Sequence, residues 1–205
     1  MRENTSEIKR CIFTIGHSNH PLDSFIRLLK AHCVEVLVDV RSHPNSKRAP
    51  HFDGQTLKAA VTAAGIKYLF LGKELGGRPK GEEFYDAEGY VLYSRIAKSP
   101  LFLEGISRLE TGVHKYRGAI MCSEENSVGC HRRLLIGRVL AERGTTVKHI
   151  SGDGRLQTET ELAGEEASQN RDQGQPAIFA AQETAPWKSI RSVLRREKRS
   201  ASSEH

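Results

Sequence analysis

Long apolar runs are missing from this chain of 205 residues: no stretch approaches the roughly 18 residues of a membrane span. The polar start Met1-Arg2-Glu3-Asn4 also lacks the apolar core of a leader segment, so neither a membrane protein nor a secreted one is expected and a cytoplasmic location is the default. Aromatic residues make up 6%, with a single Trp, which argues against a surface that stacks nucleobases. No helix-turn-helix, zinc-finger or RNA-binding pattern is present. Four cysteines (Cys11, Cys33, Cys122, Cys130) are too few for a disulfide scaffold and fit packing, metal binding or thiol chemistry better. The phosphate-loop pattern GxxxxGK[ST] is absent. So is the phosphatase pattern of a cysteine, five residues and an arginine, because position 128 is valine.

What is present fits one ordinary globular domain. The 38% hydrophobic content suffices for a core at this length. Charge is unevenly spread: residues 1–156 carry 24 basic and 17 acidic side chains, a net +7 within an overall +6. Residues 157–186 are acidic and poor in large apolar groups, so they are expected to form a flexible linker that cannot offset its ordering entropy. Residues 187–205 are basic, and Trp187, Ile190, Val193 and Leu194 recur among arginines at helical spacing, which suits a short helix docked on this domain or on an acidic partner.

Within residues 8–156, apolar runs alternate with amphipathic ones, predicting an α/β domain with a largely parallel, twisted sheet flanked by helices. Strands are expected at Cys11–Ile15, Val34–Val40, Lys67–Leu71, Gly118–Met121 and Thr146–Ile150. Helices are expected at Leu22–Ala31, Thr56–Ala64 ahead of Gly65, about Tyr90–Leu109 with a break at Pro100, and Arg132–Arg143 ahead of Gly144. Cys11 and Cys33 read as ordinary core residues beside strands.

In parallel sheets, ligands bind beyond the carboxyl ends of the strands. Four post-strand segments carry the chemistry: Gly16-His17-Ser18-Asn19-His20, Asp39-Val40-Arg41-Ser42-His43-Pro44, Gly72 to Gly81, and Cys122 to Arg132. The last is the densest, placing Cys122, Glu124, Cys130, His131 and Arg132 around one strand-to-helix turn. A thiol at a helix start is stabilised as thiolate, which favours Cys130 as the nucleophile. His17 or His131 would move protons, with Asp39 or Glu124 as base or orienting group. Arg41, Arg78 and Arg132 are planar cationic forks for phosphate or carboxylate, and Ser18, Gly76, Gly77 and Cys122 complete the expected ligand-binding set.

Through Thr14-Ile15-Gly16-His17-Ser18, Asp39-Val40-Arg41 with Pro44 and Ser46, Leu75-Gly76-Gly77-Arg78, Met121-Cys122-Ser123-Glu124 and Cys130-His131-Arg132, the chain resembles the family called domain of unknown function 488. The resemblance spans roughly Ile12 to Leu156. It implies a compact Rossmann-like α/β domain from bacterial cytoplasm and no particular reaction. The segment Glu125-Asn126-Ser127-Val128-Gly129 departs from the Lys and Pro common in similar sequences.

These features point to an enzyme, a hydrolase or transferase with a reactive cysteine. Its ligand would be an anionic small molecule, a nucleotide or a nucleic acid; no cofactor is specified and no membrane is involved. Two variants of the same site remain open: metal coordination by Cys122, Cys130 and His131 with Glu124 or His17, whose spacing does not match common zinc patterns, and a reversible Cys122–Cys130 disulfide. The alternative of a different class is a non-enzymatic module that binds nucleic acid through its basic surface.

Overall fold

The computed structural model describes residues 11–45, 49–172 and 187–192. Six strands form one sheet: β1 (Cys11–Gly16), β2 (Val36–Asp39), β3 (Lys67–Phe70), β4 (Gly118–Cys122), β5 (Thr146–Ile150) and β6 (Leu156–Thr158). Their order is β3-β2-β4-β1-β5-β6, and every pairing is parallel except that of β6 with β5. Parallel neighbours require crossovers, which the helices supply, giving the three-layer α/β architecture expected.

Each helix follows from local chemistry. Helix α1 (Leu22–Ala31) buries Phe25 and Leu29, one turn apart, and carries Asp23 in its first turn and Lys30 in its last, opposing the backbone dipole at both ends. Helix α2 (Gly54–Ala63) buries Leu57 and Val61 and is followed by Gly65 at φ +84°, a left-handed turn that glycine adopts without strain. The short helices α3 (Gly72–Leu75) and α4 (Tyr93–Ile96) lead to α5 (Pro100–Val113). There Ser99 caps the first turn by accepting from the Phe102 amide at 3.4 Å, Pro100 occupies the first position, and Phe102, Ile106 and Leu109 form the buried stripe. After β4, a π-helical turn (Arg132–Gly137) runs into α6 (Arg138–Glu142), rather than the single continuous α-helix expected.

The two-residue period of the strands sorts the core into two layers. Phe13 and Ile15 of β1, Leu37 of β2, and Ala119 and Met121 of β4 face α1 and α2. Ile12, Val38 and Ile120 face α3, α5, the π-helical turn and α6. This alternation decides which polar side chains at the strand ends can meet.

Three expectations need correction. Residues 157 onward do not begin as a linker: β6 is followed by α7 (Glu159–Asp172). Thr158 and Glu161 form a reciprocal capping box there, the Glu161 carboxylate accepting from the Thr158 amide at 2.6 Å and the Thr158 hydroxyl from the Glu161 amide at 3.3 Å. Glu159 then pairs with Arg133 at 2.6 Å, and Leu162 is buried. Cys33 is not a core residue; it lies exposed in the turn after α1 at φ +53°. Finally, Trp187 to Ser192 is not helical but is pinned along the domain by the Ser189 amide donating to Val91 O at 2.8 Å. Residues 173–186 of the expected linker and 193–205 of the tail lie outside the described residues.

Candidate functional site

Register brings three strand ends level. Gly16 pairs with Cys122 and Asp39 with Met121, and the chain continues this zipper past the strands through His17 N to Cys122 O at 3.0 Å, Ser18 N to Ser123 O at 2.9 Å and Val40 N to Met121 O at 3.1 Å. Gly16 is obligatory here, because a Cβ would run into the Glu124 carbonyl and the Glu125 backbone. This junction lies between β1, whose crossover runs to β2, and its neighbour β4, whose crossover runs the opposite way to β5, the switch point that favours ligand binding in such sheets.

Strand alternation nonetheless divides the expected site residues. His17 and Asp39 point to the α1/α2 side, where His17 stacks on Phe52 with ring centroids 4.3 Å apart. Arg41 joins them and is fully committed. It contacts Asp39 through Nε at 2.9 Å and Nη2 at 2.6 Å, and its Nη1 donates to Phe52 O at 2.9 Å and to His17 Nε2 at 3.1 Å. The Tyr68 hydroxyl donates to the second Asp39 oxygen at 2.7 Å. His17 Nδ1 donates to Ser18 O at 2.8 Å, so Nε2 must be the acceptor and the ring is held neutral. Burial and the neighbouring Arg41 charge lower its pKa to about 4. His17 and Asp39 thus lock Arg41 and the strand ends together, with their bonding directed at the protein.

The other side holds a sulphur cluster. Cys122 shares the alternation of Ile120 and faces the π-helical turn, just ahead of which lie Cys130 and His131. His131 Nδ1 lies 3.7 Å from Cys122 Sγ and 3.8 Å from Cys130 Sγ, while its Nε2 donates to Val40 O at 3.2 Å. Gly77 lies flat against the imidazole, since a Cβ there would sit 2.7 Å from His131 Cγ. Both cysteines are free thiols, and the three donor atoms lie within 4.8 Å of one another, so these residues could hold a metal ion. Neither Glu124 nor His17 belongs to that group.

The two thiols differ in their surroundings. Cys130 is fully buried, and burial, reinforced by its hydrogen bond to Cys122, pushes its pKa well up. The hydrogen bond from Cys130, together with His131 and Arg132, outweighs burial to hold Cys122 well below the usual thiol range. Burial opposes protonation of His131, but the Cys122 sulphur outweighs it and raises the imidazole pKa.

A cavity of about 330 Å³ opens over this cluster. Of the expected residues, Arg41, Gly77, Arg78, Cys122, Glu124 and His131 line it, whereas Ser18, His17, Asp39, Gly76, Cys130 and Arg132 do not. Arg132 is buried and holds the loop instead, donating to Glu124 O and, at 2.6 Å, to Glu125 O. Gly76 makes room for the Ser42 hydroxyl, which accepts from the Arg78 amide at 2.9 Å and so fixes the start of that loop.

Of the other lining residues, Ser42, His43, Ser123 and Gly129 lie in the expected post-strand segments without having been assigned a role, whereas Asn45, Tyr93, Ser189 and Arg191 had no sequence signal. The last two arrive on the C-terminal segment. Trp187 Nε1 donates to Leu134 O at 2.8 Å beneath Arg138, Lys188 pairs with Asp86 at 2.8 Å, and the Ser189 hydroxyl accepts from the Val91 amide at 2.9 Å. Among the described residues, no ion pair or side-chain hydrogen bond engages the guanidinium of Arg78 or of Arg191.

A parallel-sheet α/β domain with a cationic cavity at the carboxyl edge and a Cys-Cys-His floor defines the class. Within it, the chain belongs to the family described as domain of unknown function DUF488, whose model matches residues 21–139. No curated protein and no solved structure matches the chain. The family match leaves out β1 and the segment carrying Ser189 and Arg191.

Proposed function

We propose that this protein is an enzyme that binds a small phosphate-bearing anion, a phosphate ester or a nucleotide, in the cavity and acts on it at the Cys122–His131 floor. The observation that carries this reading is the pairing of two guanidinium groups, Arg78 and Arg191, that no side chain among the described residues engages, with that floor in one concave site at the edge of the sheet. Arginine forks match the geometry of phosphate oxygens, and their charge exceeds that of Glu124, the acidic side chain in the lining. A cavity of about 330 Å³ lies at the small end of ligand sites, which favours a single nucleotide or something smaller over duplex nucleic acid. Glu124, in the lining of the same cavity, is the proton acceptor, the role expected of it.

Calorimetric titration with inorganic pyrophosphate and with nucleoside monophosphates tests the reading. Binding should weaken by at least about tenfold in Arg78→Ala and again in the double variant with Arg191→Ala, each lost charged hydrogen bond being worth about 1.5–3 kcal/mol. Undiminished binding in the double variant contradicts it, as would affinity for long duplex DNA alone that collapses with salt.

A further inference from the structure

We infer that Cys122, Cys130 and His131 form a binding site for one thiophilic divalent cation of the zinc class, with a fourth coordination position facing the cavity. The inference deepens the proposed function, because it names what occupies the floor of the same site.

The first support is metric. Zinc–sulphur bonds of about 2.3 Å and zinc–nitrogen bonds of about 2.0–2.1 Å at tetrahedral angles imply sulphur-to-nitrogen edges of about 3.6 Å. The two edges here are 3.7 and 3.8 Å. Both sulphurs are nearly equidistant from one nitrogen, as a shared central atom requires.

The second support is the histidine tautomer. Val40 O can only accept, so His131 Nε2 carries the proton that meets it, and in the neutral ring the Nδ1 lone pair is directed at the two sulphurs. A backbone carbonyl on the far nitrogen is the usual way a ligating imidazole is oriented and its tautomer fixed. Gly77 contributes by keeping side-chain atoms off that face of the ring.

The third is access. Cys130 anchors the site from full burial, while Cys122 and His131 line the cavity. Three protein ligands with a fourth position open to a cavity is the catalytic rather than the structural zinc pattern. Binding would displace two protons from the Cys122, Cys130 and His131 cluster to solvent, leaving two thiolates and one neutral imidazole on a dipositive ion, an uncharged centre whose remaining position takes water or a ligand oxygen. That position lies on the same cavity as Arg78 and Arg191, which suits an anionic ligand reaching the metal through one oxygen.

The test is metal content of the full chain, expressed in zinc-supplemented medium and purified without a histidine tag. About one zinc per chain is expected, falling at least about tenfold in Cys122→Ser and in Cys130→Ser, with Cys33→Ser unchanged as control. Should a variant fail to fold, cobalt added to the chelator-treated wild type gives a second readout: sulphur-to-cobalt charge-transfer absorption and the d–d bands of a tetrahedral ion. Wild-type protein with neither zinc nor these bands overturns the inference, as does zinc retained in both serine variants. Pyrophosphate titration of the chelator-treated protein separates the two proposals. Binding without metal uptake leaves the anion site standing and removes the metal; metal uptake without anion binding does the reverse.

Discussion

Two buried polar clusters sit at the same strand ends on opposite faces of the sheet, and they differ in whether their bonding capacity is used up. On the α1/α2 face, every nitrogen of the Arg41 guanidinium is engaged, Asp39 accepts from both Arg41 and Tyr68, and His17 is held neutral between Ser18 and Arg41. On the other face, Cys122 and His131 have a cavity in front of them and only one another, Cys130 and Val40 behind. A saturated network is a structural clamp, whereas groups left with open valences beside a cavity are available for a ligand. The same residue types thus do opposite work according to what remains unbonded.

Breaking the clamp should have the largest effect. Asp39→Asn leaves the buried Arg41 charge without its counter-ion and should cost about 3–5 kcal/mol of folding stability, read as a lowered denaturation midpoint. Cys122→Ala, compared with wild type in the presence of chelator, should cost about 1 kcal/mol or less while abolishing whatever the cavity does. Equal stability losses in the two variants would erase the distinction between the faces. Gly77→Ala is intermediate. The added methyl meets the His131 ring and should cost about 1–3 kcal/mol through overpacking, with metal uptake reduced alongside; full uptake would show that the ring tolerates displacement.

The smallest effect concerns pH. Burial would raise the Glu159 pKa, but hydrogen bonds from His149 and Arg133 outweigh it and lower the value from 4.5 to about 2. Its contribution is therefore fully present above pH 4.5 and fades as pH falls toward 2. Because the side chain is half exposed, that contribution is discounted to about 1 kcal/mol or less. Wild type should melt higher than Glu159→Gln at neutral pH, and the gap should close on acidification. A gap that widens in acid contradicts the assignment.

The layered fold was legible because its strands are apolar on both faces and its helices carry regular stripes; β1, α1 and β5 fall within a residue of their expected bounds. The split between the clusters was legible too, in the alternation along β4, β2 and β1, but only once register set which strands are neighbours. Adjacency in the chain did not show how Cys130 and Arg132 are aimed: both were placed in the site from their position at a helix start, and packing turns both inward. The capping box at Thr158 and Glu161 was readable, yet the scarcity of apolar residues beyond it argued for a linker, and the Glu159–Arg133 pair that anchors α7 spans 26 positions. Ser189 and Arg191 could not be assigned to the site from sequence, since nothing local specifies that residues almost 100 positions beyond Val91 run beside it.

Thiol mapping of the chelator-treated protein is the most direct test of where the working centre lies. Timed alkylation near neutral pH, read by peptide mass spectrometry with exposed Cys33 as internal reference, should label Cys122 well before Cys130, and pyrophosphate should slow labelling at Cys122 without affecting Cys33. Labelling of Cys130 first, or a Cys122 rate indifferent to pyrophosphate, would contradict the assignment of this cavity as the functional site.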